Sequence, residues 1–167
     1  MGLAQIVTLL VALQRLAEVG YARRNARRLL AAGGVEHGAG HYPLFVALHG
    51  AWLVALFVLV PADAPANWGL LGLYGLLQLG RLWVIASLGR RWTTRVIVVP
   101  GAPLVTRGPY RFLRHPNYLV VAFEIPVLPL AFGAWHIALA FGLANLALLA
   151  QRIRVEERAL AGYTKER

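Results

Sequence analysis

Cysteine is absent from these 167 residues, which excludes a disulfide, a thiolate nucleophile and a cysteine-ligated metal. Five histidines are present, and no metal centre is expected. Charged residues make up only 14% of the chain, well below the roughly 25% of a soluble domain. Lysine occurs once, at Lys165, against an abundance of arginine, a skew best read as coding bias. What fills the chain instead is apolar: 59% of residues, with a mean hydropathy of +0.60. The composition is that of an integral membrane protein, and the length suits a single domain spanning residues 1–167.

Five apolar runs follow in order. Leu3 to Leu16 continues into Ala17 and Val19, with Arg15 and Glu18 near its end. No basic region precedes it and no small-residue cleavage site follows, so it is expected to be a span and not a leader. Arg23 to Tyr42 reads either as an amphipathic helix turning back to the membrane or as a solvated basic loop. Leu44 to Val60 and Trp68 to about Leu88 are the second and third spans, separated by the helix-ending turn Pro61-Ala-Asp-Ala-Pro65. A long basic connection, Gly89 to Asn117, comes next, and its β-branched stretch Thr93 to Val99 predicts a short strand or extended arm. Tyr118 to Phe132 and Trp135 to Ala150 form two short spans or a tight helical hairpin, and Gln151 to Arg167 forms a charged C-terminal helix.

A net charge of +10 would suggest nucleic acid in a soluble protein, but its placement here has a topological reading. The arginines cluster in Arg23 to Tyr42, in Gly89 to Asn117 and after Gln151, and Asp63 is the only charge in the two opposite loops. Because basic loops stay cytoplasmic, five spans with the N-terminus outside and the C-terminus inside put every positive charge on one face. The expected fold is therefore an all-α integral membrane protein of about five transmembrane helices. Residues 1–88 supply three spans, and residues 89–167 supply a cytoplasmic connection, two further spans and the C-terminal helix. The bilayer is the implied partner, and nucleic acid is not.

The connection holds the most unusual stretch, Arg107 to Tyr118, RGPYRFLRHPNY, with three arginines, one histidine, two prolines and no acid. Its prolines break any continuous helix and leave amides and side chains to face a ligand. His115 is either structural or, with Tyr110, Tyr118 and the helix starting near Pro116, part of an anion-holding site. In RIRVEE, Arg152 and Glu156 share a helical face and form either a surface ion pair or part of that site. Glu157 points elsewhere and can neutralise an arginine of the connection. Glu124, about two turns into the fourth span, is a functional candidate by default, or else bonds to another helix or to Arg81. His41, Tyr42, Pro43 and His49 are either interfacial anchors or the lining of a lipid entrance.

GPYRFLRHPNY, two apolar runs and then RIRVEERAL together resemble the isoprenylcysteine carboxyl methyltransferase family of membrane S-adenosylmethionine-dependent enzymes. The resemblance covers roughly Arg95 to Tyr163. The N-terminal motifs RLAEVGYARRN and GGVEHGAGHYP are similar to the small bacterial branch, whose members are associated with type III polyketide synthases and O-methylate alkylpyrones or alkylresorcinols. It implies that Ala102, Pro103, Leu104, Val105, Tyr110, His115, Pro116, Asn117, Tyr118 and Glu156 hold S-adenosylmethionine. It also implies that Arg152 faces the methyl acceptor and, with Glu156, forms the catalytic pair. Glu124 and His49 are then candidate contacts for a lipophilic substrate. The place of a polar residue that the family uses falls on Arg95. The expected activity is O-methylation of a small lipophilic acceptor, an alkylpyrone or other polyketide lipid ahead of the alternative, a prenylated cysteine. An NADPH-dependent membrane lipid reductase and a non-catalytic membrane scaffold are the alternatives from other classes.

Overall fold

The computed structural model describes residues 1–164, so Lys165, Glu166 and Arg167 of the expected C-terminal helix lie outside the described residues. Five α-helices carry the architecture: α1 (Leu3–Ala31), α2 (Tyr42–Leu59), α3 (Trp68–Leu88), α4 (Pro116–Leu130) and α5 (Trp135–Thr164). Four contain stretches long and apolar enough to cross a membrane, and α4, with 15 residues, is shorter. The protein is thus all-helical and membrane-spanning, apart from one small two-stranded sheet, β1 (Val35–His37) and β2 (Val96–Val98).

Two helices are longer than the apolar runs that define them. At 29 residues, α1 extends roughly 43 Å, more than the hydrocarbon layer of about 30 Å. The amphipathic helix expected after Arg23 is therefore not a separate element. Arginine, leucine and alanine in ARRNARRLLA all favour helix, and the chain turns only at Gly33, where φ is +83°. The charged C-terminal helix is likewise the uninterrupted end of α5, because no glycine or proline separates Ala150 from Ala161. Where a strand or arm was expected, Val96–Val98 pairs antiparallel with Val35–His37, with Glu36 opposite Ile97.

Proline shapes α4 at three points. Pro116 occupies the first turn, where its missing N–H costs nothing, but Pro126 and Pro129 lie inside the helix. Pro129 cannot donate to the carbonyl of Ile125, and the fully buried Trp52 of α2 supplies the replacement, with Nε1 3.1 Å from that oxygen. In lipid such a carbonyl has no water to turn to. Trp52→Phe is expected to lower the thermal stability of detergent-solubilised protein by about 1–3 kcal/mol, the cost of one stranded buried acceptor.

Trp52, Leu56, Ile125 and Leu128 form the centre of the core, whereas Leu44, Val54, Val58, Leu76 and Leu79 face outward, as on the lipid side of a bundle. At one end, the Asn67 amide donates to the Ala131 carbonyl at 2.8 Å and so ties the α2–α3 turn to the α4–α5 turn. At the opposite end, the buried Asn25 of α1 donates to the carbonyls of Gly89 and Trp92. Despite its length, α4 runs between the same two ends as its neighbours.

A polar cluster lies inside this bundle. Arg81 donates Nε to both Glu18 oxygens at 2.8 and 2.9 Å and Nη1 to Glu124 at 3.2 Å. Arg15 bridges the same carboxylates, 2.9 Å from each, and Gln78 donates to Glu124 at 2.7 Å. Two guanidiniums and two carboxylates balance in charge and knit α1, α3 and α4 together.

Candidate functional site

The basic connection folds over the end of the bundle where α1, α3 and α5 terminate. Arg107 donates Nε to the carbonyl of Ser87 at 2.8 Å. Next to it, Gly108, at φ +61°, approaches α3 so closely that an added Cβ would stand 2.0 Å from Ser87 Oγ. That contact seats Pro109 and Tyr110 in a short 3-10 turn, Gly108–Arg111. His115 then caps α4, and Pro116 opens it.

Between connection and α5 lies a half-open cavity of about 770 Å³, inside the roughly 300–1,000 Å³ range of small-molecule sites. Ala102, Pro103, Leu104, Val105, Tyr110, His115, Asn117, Tyr118, Arg152 and Glu156 all line it. Pro116 sits behind the wall, buried at the start of α4. Glu124 belongs to the polar cluster and is 1% exposed, and His49, on α2, bonds the carbonyl of Phe45 at 2.9 Å. Neither Glu124 nor His49 lines the cavity.

Tyr118 is the hub. Its hydroxyl donates to Glu156 and accepts from Arg152 Nε at 3.0 Å. Arg152 and Glu156 share a helical face, as the spacing requires, but they meet through the phenol and not as a direct ion pair. Arg152 also donates Nη2 to the carbonyl of Thr94 at 2.7 Å, fastening α5 to the connection. The His115 ring stacks on Tyr118, with centroids 5.4 Å apart, and its Nε2 is 3.6 Å from Glu157. Glu157 therefore faces His115 and not an arginine, and it joins the cavity wall. Its place one position beyond Glu156 was the available signal. Arg91 and Thr93, also on the wall, carried no distinguishing pattern in the sequence.

The lining carries both signs, Arg91, Arg95, Arg114 and Arg152 against Glu156 and Glu157, and so suits a zwitterionic ligand with donor groups; Asn117 Oδ1 is a buried acceptor without a partner among the described residues. Burial pushes the Tyr110 phenol up, and the Glu156 carboxylate adds to the shift, so Tyr110 stays protonated as a donor. Among the described residues no three His, Asp or Glu side chains stand close enough to hold a metal.

Comparison with known proteins adds a family. The model of the isoprenylcysteine carboxyl methyltransferase (ICMT) family matches residues 70–162. Uncharacterized protein YpbQ of Bacillus subtilis (strain 168) is 38% identical over 155 residues, covering 90% of this chain and 92% of that protein. An uncharacterized protein of Haemophilus influenzae (strain ATCC 51907 / DSM 11121 / KW20 / Rd) is 26% identical over 149 residues, covering 83% of each. No solved structure matches.

Proposed function

The chain belongs to the isoprenylcysteine carboxyl methyltransferase family, and from that premise we propose that it methylates an oxygen of a small lipophilic acceptor, an alkylpyrone or related polyketide lipid in preference to a prenylated cysteine. The family uses S-adenosylmethionine, which supplies a sulfonium-bound methyl that an acceptor oxygen displaces in line, leaving S-adenosylhomocysteine. The observation that carries the reading is the Tyr118 hydroxyl held between Glu156 and Arg152 on the wall of one large cavity. A carboxylate and a guanidinium stand on either side of one phenol, and in this reading the first serves the cofactor and the second the acceptor.

In this reading His115 and the adjoining start of α4 hold the methionine carboxylate, since a helix N-terminus favours an anion. Asn117 Oδ1 and Glu156 accept hydrogen bonds from amino or ribose groups. Pro103, Leu104 and Val105 cover the adenine side with apolar surface. The planar guanidinium of Arg152 steadies an enolate, phenolate or carboxylate oxygen. An acidic acceptor then needs no strong general base, and catalysis reduces to alignment and exclusion of water. Residues 1–88 and 89–167 act as one domain whose cavity faces the cytosol, with the N-terminus outside. The acceptor tail enters sideways from the bilayer, and a type III polyketide synthase is the fitting source of such an acceptor.

The test is a pair of titrations of detergent-solubilised protein, one with S-adenosylhomocysteine and one with NADPH. Binding of the first alone is expected. Binding of NADPH alone would replace the methyltransferase with a reductase, and binding of neither would favour a scaffold.

A further inference from the structure

Beside the large cavity, and sharing Arg95, Val96 and Arg152 with it, is a second pocket of about 10 Å³. Its other walls come from residues 36–45, in β1, the turn after it and the start of α2, which precede the family-matched segment, and from Val155 of α5. Gly38 brings this strand onto α5: its φ is +65°, and a Cβ there would lie 2.8 Å from a methyl of Val155. The pocket holds at most one water, so as it stands it is closed.

What closes it is an ion pair. Arg95 Nη1 donates to Glu36 Oε2 at 3.0 Å, and the guanidinium lies over the Tyr42 ring, 5.0 Å from its centroid. Arg152 is arranged in the same way over Phe45, at 5.1 Å. Among the described residues Arg95 has no second carboxylate within ion-pair distance, and Arg152 has none. Two guanidiniums and one carboxylate leave the lining one positive charge in excess. Both cations rest on aromatic faces that a planar group can also stack against. Beyond the aromatic pair, Leu44 and Val46 of α2 are half exposed on the outer surface, a path for an apolar chain into lipid.

We propose that this pocket is the headgroup site of the methyl acceptor, that it takes a planar, singly anionic oxygen acid with an apolar tail, and that the acceptor oxygen displaces Glu36 from Arg95 on binding. The proposal rests on the methyltransferase reading above and deepens it. Glu36 occupies the guanidinium as the ligand would, which keeps Arg95 ordered and the pocket shut to neutral lipids. A neutral acceptor cannot replace a carboxylate on a guanidinium without loss, and a cationic one meets two arginines. Selectivity then comes from exchange of one anion for another.

Equilibrium binding decides it, with full-length protein in nanodiscs and a 4-hydroxy-6-undecyl-2-pyrone probe compared with its neutral 4-methoxy counterpart. Glu36→Gln removes the competing carboxylate and is expected to tighten the hydroxypyrone by about two- to fivefold, the factor a partly exposed ion pair contributes. Arg95→Gln is expected to weaken it by roughly tenfold or more, as loss of a charge-assisted hydrogen bond does. The methoxypyrone should bind weakly to all three proteins. A purely structural role for the pair predicts that both variants lose affinity together. Glu36→Gln binding no more tightly than the parent, or a methoxypyrone bound as well as the hydroxypyrone, would overturn the proposal. S-adenosylhomocysteine affinity is read on the same samples. Its absence in the parent sinks the methyltransferase reading, while the pyrone affinities still decide the pocket.

Discussion

Glu124→Ala is expected to destabilise the bundle by about 3–5 kcal/mol, the cost of breaking a buried ion pair from one side. The substitution leaves Arg15 and Arg81 facing Glu18 alone inside the membrane, and it strands the Gln78 amide that donated to Glu124. Arg81 would keep its three bonds to Glu18, so the excess charge falls on Arg15. The double variant Arg15→Ala, Glu124→Ala restores neutrality around the Arg81–Glu18 pair. It should recover much of the loss, giving a large coupling energy in a double-mutant cycle. Thermal unfolding in detergent reads both. A Glu124→Ala protein as stable as the parent but unable to bind acceptor would instead make Glu124 a substrate contact.

Arg152→Ala should lower kcat/KM by roughly 10²–10³, the range seen when a preorganised charge at the reacting oxygen is removed. Affinity for S-adenosylhomocysteine should change far less. Arg152→Lys keeps the charge but not the planar fork that spans Tyr118 and Thr94, so partial recovery is expected. Glu156→Ala should have the reverse profile, weakening S-adenosylhomocysteine by roughly ten- to a hundredfold as a charged hydrogen-bond partner is lost. Steady-state kinetics alongside calorimetric titration separates the two profiles. Equal effects of both variants on both quantities would show that the two residues do not divide cofactor from acceptor.

The membrane character of the chain, its helices and the collection of RGPYRFLRHPNY with RIRVEE could be read in the sequence, for physical reasons. Hydropathy reports burial in lipid directly, and the spacing of Arg152 and Glu156 fixes their shared face. Helix extents were harder to place. The basic run after Tyr21 looks like a boundary because its composition changes, yet its backbone propensity does not, and α1 continues to Ala31. The partner of β2 was hidden for a different reason. Val35–His37 is too short to show alternation, and its pairing spans some sixty positions of sequence. The Tyr118 bridge and the Glu36–Arg95 pair are contacts between distant segments, and residue spacing within one segment cannot encode them. Glu124 carried the clearest signal of an expensive buried charge, but that signal does not distinguish a substrate contact from the four-charge cluster it joins.

The unbroken path of α5 has a mechanical side. One rigid rod holds leucines against the acyl chains at one end and, a few turns on, the guanidinium and carboxylate that flank Tyr118. With no joint between them, any lean the rod takes to match the thickness of its host bilayer is carried undiminished to the far end. Lipid chain length and the placing of that pair against Tyr118 of α4 are therefore a single coordinate of this molecule.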